Sequence, residues 1–187
     1  PYSSSKATAE FAIYSYFNSF LKYKKNIRIG IARAGNVIGG GDWSKDRIIP
    51  DIVRATVNNQ KINIRNPEAT RPWQHVFEII SGYLLLMINL SVKKKLTGEA
   101  FNFGPAAEQN STVYELLLES SKYWKVDHEK AIVIADSIPF HEAGLLKLNC
   151  DKALSVLKWQ ATLDYKDTVR FTNESVSYTH LTLPTIL

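Results

Sequence analysis

The sequence predicts an α/β fold, and two observations carry that prediction. Short apolar or alternating segments suited to strands recur along the chain, and longer stretches with apolar residues at helical spacing separate them. From Ser3 to Tyr23 the residues Ala7, Phe11, Ile13, Tyr14, Phe17 and Leu21 recur at helical spacing, and Asn26 punctuates. Ile27 to Ala32 reads as a buried strand ending near Arg33, and Ala34 to Trp43 as a glycine-rich loop. A helix follows over Ile49 to Asn58, with Pro50 tolerated in its first turn. Ile62 and Ile64 alternate with polar residues, as in a strand of period two. After a proline-containing loop over Asn66 to Pro72, a helix spans Phe77 to Ser91, and Ala100 to Phe103 is a strand stopped by Gly104-Pro105. Thr112 to Trp124 is amphipathic, with Ser111 or Thr112 as N-cap and Glu115 near the third helical position. A strand over Ala131 to Ile134 and helices over Asp151 to Leu157 and Tyr165 to Phe171 complete the pattern.

Composition narrows the function classes. The 187 residues, 45% hydrophobic and 22% charged, are about one domain's worth and can bury a sizeable core. No apolar run approaches the roughly 20 residues of a membrane span, and no signal peptide opens the chain. The single cysteine, Cys150, excludes an intrachain disulfide framework and a cysteine-rich metal site, and points to a reducing, cytoplasmic setting. The net charge of +5 comes partly from Lys22, Lys24, Lys25 and Lys93 to Lys95, which read first as a solvated surface. A site for an anionic ligand is the sharper reading, and a nucleic-acid surface the weakest.

Tyr2 and Lys6 stand four apart at the start of a helix, on one face and one turn apart. A tyrosine acts as a base only when ionised, and a neighbouring ammonium favours that form. Alone, such a pair is common on protein surfaces. Its company changes the reading: Pro1-Tyr2-Ser3-Ser4-Ser5-Lys6-Ala7-Thr8-Ala9-Glu10, Arg33-Ala34-Gly35-Asn36-Val37-Ile38-Gly39, Asp46-Arg47-Ile48-Ile49-Pro50, Arg71-Pro72-Trp73-Gln74-His75-Val76 and Asn102-Phe103-Gly104 follow in order.

This series resembles the extended short-chain dehydrogenase/reductase family over about residues 1–157. Gly39-Gly40-Gly41-Asp42-Trp43, Arg65 to His75, and Pro139-Phe140-His141-Glu142-Ala143 are most similar to its branch of 4,6-dehydratases acting on CDP-glucose. A late Arg-Pro-Gly-Asp arginine is replaced by Ile138 to Glu142.

The resemblance implies the C-terminal part of a Rossmann-type NAD-binding fold with a small mixed α/β substrate-binding domain. It divides the chain into 1–39, the end of the NAD-binding domain, and 40–175, mainly substrate-binding with interleaved final Rossmann elements. Residues 176–187 are left as a non-native tail, or alternatively a pairing β-branched strand. It implies NAD as cofactor, Tyr2 and Lys6 as catalytic residues, and Tyr2, Lys6 and Ala34 on the cofactor. Asn36, Arg47, Arg65, Arg71, Asn102 and Glu142 are the implied contacts to a nucleotide sugar, with no metal. A cofactor loop, a catalytic Ser/Thr and acid/base residues are expected upstream, so the 187 residues alone are expected to be inactive. It further implies a homodimer paired through the first helix. The aromatic face of Tyr14, Phe17 and Phe20 suits that pairing and suits core packing equally.

Other signals carry less. Gly39-Gly40-Gly41 is neither a Walker loop nor a G-x-G-x-x-G fingerprint. His75, His128 and His141 show no metal-ligand spacing, and His75 reads as a packing or loop-orienting residue. Trp73, Trp124 and Trp159 read as core or rim aromatics, and Cys150 as a buried small hydrophobe. An epimerase, another nucleotide-sugar dehydratase and a non-catalytic binding module remain as alternatives.

Overall fold

A computed structural model of the chain describes residues 1–124, 132–134 and 144–182, excepting the side chains of 180–182. The chain opens with helix α1, Tyr2–Tyr16, which widens into a π-helical turn over Phe17–Leu21. Strands β1 (Ile31–Ala34) and β2 (Val37–Ile38) follow, then α2 (Ile48–Val57) and β3 (Ile62–Ile64). Strands β4 (Thr70–Arg71) and β5 (Gln74–His75) lead directly into α3, Val76–Val92. Then come β6 (Ala100–Phe103), β7 (Ser111–Thr112), α4 (Val113–Trp124), β8 (Ile132–Ile134) and α5 (Tyr165–Val176).

Parallel pairing dominates. β1 runs beside β6 with Arg33 opposite Asn102 and Ala34 opposite Phe103. β2 pairs in parallel with β5, and β3 with β8. Only β4 and β7 are antiparallel among these pairs, with Arg71 opposite Ser111. Parallel neighbours need crossovers, and the intervening helices supply them. This confirms the α/β expectation.

Two apolar clusters organise the packing. One joins Ile79, Leu86 and Leu90 of α3 to Phe101 and Phe103 of β6 and to Ala153, Leu157 and Trp159. The other joins Ile49, Ile52 and Val53 of α2 to Ile62, Ile64, Trp73, Leu116, Leu117, Trp124, Val169 and Val176. All three tryptophans read as core or rim are therefore core. Each fully buried Leu or Phe in these clusters contributes about 1.5–3 kcal/mol relative to exposure.

Several expectations need correction. The strand expected over Ile27 to Ala32 begins at Ile31, because the preceding residues are tied to another segment. Ile29 N–H donates to Thr97 Oγ1 at 3.0 Å and Gly98 N–H to Ile29 O at 2.8 Å, before the β6 ladder starts. The glycine-rich loop contains β2. The helix expected over Tyr165 to Phe171 runs on to Val176, and the backbone stays helical through Thr182 as a π-helix, with no break at Ser177. Thr179 Oγ1 donates to Ser175 O across that junction at 2.7 Å. The helix over Asp151 to Leu157 widens into a π-helix at Ala153 and stops at left-handed Lys158, φ 61°. Core packing for the first helix holds only at Phe17, which is half-buried, while Tyr14 and Phe20 are exposed. Cys150 is half-buried, and burial pushes its thiol up.

Candidate functional site

The site grows from the ends of the parallel strands, where an α/β sheet leaves room for a ligand. Ala34 closes β1, and Asn36 follows in the short link to β2; both are half-buried. Asn102 lies one strand over, in register with Arg33. Its Nδ2 donates to Asn149 O at 2.9 Å, and its Oδ1 accepts from Arg33 Nη1 at 3.3 Å. Gly35 between them has no room for a side chain, since a Cβ there would lie 2.9 Å from Pro72 Cγ.

Arg33 also reaches the first helix. Its Nε donates to Glu10 Oε1 and its Nη2 to Glu10 Oε2, both at 2.5 Å, a bidentate pair. The Arg33 hydrogen bond holds the Glu10 carboxyl below its ordinary range, although burial pushes the other way. Tyr2, Lys6 and Glu10 are spaced four apart and therefore share one face of α1. That face is the one clamped to β1. Lys6 Nζ lies 5.4 Å from the centre of the Tyr2 ring, and Tyr2 is 74% exposed. The Glu10–Arg33 pair was not anticipated from sequence. Its only trace is the i, i+4 continuation of the Tyr2–Lys6 spacing.

Arg71 is 8% exposed at the end of β4, where Nη1 donates to Thr70 O at 2.8 Å. Trp73 N–H donates to Arg71 O at 2.9 Å, which turns the chain into β5. Trp73 Nε1 donates to Ser111 O at 3.0 Å. His75 is buried at the N-cap of α3: its Nδ1 accepts from Phe77 N–H at 3.3 Å, and its ring packs against Phe77 and Phe171. Burial holds the imidazole below its ordinary value, which suits a neutral cap. This agrees with its reading as a packing residue. Glu78, also buried, anchors α3: its Oε1 accepts from Thr162 N–H, Thr162 Oγ1 and Leu163 N–H at 3.0, 2.8 and 2.8 Å.

Arg47, at the N-cap of α2, lines a cleft of about 280 Å³ with Ile38, Gly39, Gly40, Asp42 and Ser44. Burial raises Asp42, but the Ser44 hydrogen bond and the charges of Arg47 and Arg54 outweigh it and hold the carboxyl low. Arg65 is exposed and sits 4.0 Å from Asp46 Oδ1, beside Arg47. The structure thus brings Ala34, Asn36 and Asn102 together, and sets Arg65 against Asp46, the chain neighbour of Arg47. Of the face that carries Tyr2 and Lys6, Glu10 is the residue bonded to the first group, through Arg33. Glu142 and the Pro139 to Ala143 motif, with His128 and His141, lie outside the described residues.

The model of the NAD dependent epimerase/dehydratase family matches residues 1–104. A CDP-glucose 4,6-dehydratase of Salmonella typhimurium is 43% identical over 163 residues, covering 85% of this chain and 45% of that protein. A dTDP-D-glucose 4,6-dehydratase of Dictyostelium discoideum is 30% identical over 105 residues, covering 56% of this chain and 22% of that protein. The chain therefore spans less than half the length of these curated relatives. Among solved structures, UDP-glucuronic acid 4-epimerase from Bacillus cereus, with UDP-glucuronic acid and NAD, superposes with a TM-score of 0.78 at 18% identity, covering 95% of this chain and 52% of that one. The dTDP-glucose 4,6-dehydratase of Bacillus anthracis, with NAD, gives 0.75 at 20% identity, covering 97% and 53%. These structural likenesses show the Rossmann-type α/β fold. With more than half its length matched by the family model, the chain belongs to the NAD dependent epimerase/dehydratase family.

Proposed function

We propose that the chain is the C-terminal part of an NAD-dependent hydro-lyase that converts CDP-glucose to CDP-4-keto-6-deoxyglucose and water. The observation that carries this reading is the clamp of the Tyr2–Lys6–Glu10 face to Arg33, beside Asn102. A crossover helix runs back along its strand, so Tyr2 and Lys6, N-terminal on α1, are assigned to the carboxyl end of β1 near Asn36. The 43% identity to a CDP-glucose 4,6-dehydratase supports the choice of substrate.

The residues present suit the nicotinamide end of NAD: a lysine ammonium and a tyrosine hydroxyl one helical turn apart. The sequence holds no G-x-G-x-x-G loop for the pyrophosphate. NAD, when bound, supplies reversible hydride acceptance. Tyr2 Oη, acting as a phenolate that the Lys6 ammonium stabilises, would take the proton of the C4 hydroxyl and become neutral, and Lys6 would also hold the cofactor ribose. Asn36 and Asn102 orient the hexose. Arg71 offers a planar fork to the diphosphate, with Arg47 and Arg65 toward phosphate or cytosine. Glu142 is assigned a substrate contact. The groups that take the C5 proton and protonate the departing C6 hydroxyl are assigned to residues outside these 187.

Residues 1–39 are assigned to the cofactor domain and 40–175 mainly to the substrate domain. The family setting supports a cytoplasmic homodimer serving deoxysugar and O-antigen synthesis; no helix among the described residues is long and apolar enough to cross a membrane. The test is Tyr2→Phe in a polypeptide joining these residues to the remainder of the relatives' length. CDP-glucose turnover is expected to fall by roughly 10²–10⁴-fold while CDP-glucose binding persists. Unchanged turnover, or turnover by the 187 residues alone, would contradict the reading.

A further inference from the structure

Gln74 is 1% exposed, yet the bonds around it hold three ligand-bearing segments together. Its backbone N–H donates to Asn36 O at 3.0 Å, and β5 pairs with β2 from Gln74 opposite Val37. Its side-chain Nε2 donates to Phe103 O at 3.1 Å. Phe103 follows Asn102 and stands opposite Ala34. Arg71 lies three residues upstream, across the turn closed by Trp73 N–H. One residue thus links the Asn36 loop, through its backbone N–H, to the Asn102 strand end, through its side-chain amide, with the Arg71 turn just before it in sequence. Its Oε1 is buried with no hydrogen-bond partner among the described residues. A buried acceptor left unpaired opposes stability, so the side chain is poorly explained as a packing residue.

We propose that Gln74 is a positioning residue, whose Nε2–Phe103 bond sets the spacing between Asn36 and Asn102 and so the grip on the nucleotide sugar. This rests on the functional reading above only for the ligand's identity.

The test compares Gln74→Met, which removes the donor at similar volume, with Ile79→Val, a mild core control. The protein is the polypeptide joined to the remainder of the relatives' length. Hydrogen exchange at Gln74 N–H and calorimetric titration with CDP-glucose are the readouts, alongside the Tm. In Gln74→Met, exchange is expected to quicken and CDP-glucose affinity to fall, each about tenfold or more, while Tm stays near that of Ile79→Val. The control should move neither readout. In Gln74→Glu, acidification should restore affinity, because only the protonated acid can donate to Phe103 O; this variant decides the matter if Gln74→Met fails to fold. Unchanged exchange and affinity in Gln74→Met, or no recovery of Gln74→Glu on acidification, overturns the inference. If the unmodified protein does not bind CDP-glucose, the substrate reading fails instead, and exchange at Gln74 N–H still decides the role of the side chain.

Discussion

Glu10 and Arg33 together fix where the face bearing Tyr2 and Lys6 points. The folded-state carboxyl of Glu10 is held below its ordinary 4.5, so the pair's contribution is present above that pH and is lost as pH falls through the lowered value. The Arg33 and Glu10 side chains are 42% and 26% exposed, which limits the contribution to about 1 kcal/mol or less. Glu10→Gln should therefore loosen α1 at neutral pH and flatten the acid dependence of its amide exchange. An unchanged acid profile in Glu10→Gln would remove this pair from the account. At this scale the sequence singles out Tyr2 and Lys6 by their spacing and company, and α1 sets them on one face. The sequence was silent about Glu10 and Gln74, whose roles arise from partners 23 and 29 positions away.

Helix α4 shows how much of an element can be local. Thr112 Oγ1 accepts from Glu115 N–H at 3.0 Å, and Glu115 Oε2 accepts from Thr112 N–H at 2.7 Å, the reciprocal box that the spacing of the two residues predicts. The structure also settles the N-cap as Thr112 rather than Ser111. Thr112→Ala should cost about 1 kcal/mol in a denaturant melt, and an unchanged midpoint would show that the cap contributes nothing. Elements defined by distant partners were harder to see. β2 is two residues inside a glycine-rich loop, and it exists because β5 lies beside it. The second half of α5 was hidden because Thr172 and Asn173 are polar but fully buried. Thr172 Oγ1 donates to Thr168 O at 2.8 Å and Asn173 Nδ2 to Ser120 Oγ at 3.1 Å, so an apolar periodicity does not register them.

Across the whole molecule, large apolar surfaces stay uncovered. α1 buries no residue. α3 carries one charged residue, Glu78, which is buried, while its outer face presents Phe77, Leu84, Met87 and Ile88 at 67%, 54%, 64% and 61% exposure. A helix apolar on all sides is normally covered on all sides, and contiguous patches of this kind favour association. The 187 residues alone should self-associate in light scattering, and Leu84→Lys with Met87→Lys should reduce that association without lowering Tm. A monodisperse unmodified chain would contradict this. The order of strands and helices was legible in sequence because the two hydrophobic periods alternate; the grouping into two cores was not, since each gathers residues from across the chain. The central claim, a dehydratase acting on CDP-glucose, is tested most directly by mass spectrometry of CDP-glucose incubated with NAD and the polypeptide joined to the remainder of the relatives' length. The account predicts loss of one water from the sugar nucleotide with no net reduction of NAD, abolished by Tyr2→Phe. An isomer of unchanged mass would make the protein an epimerase, and unaltered CDP-glucose would contradict the account outright.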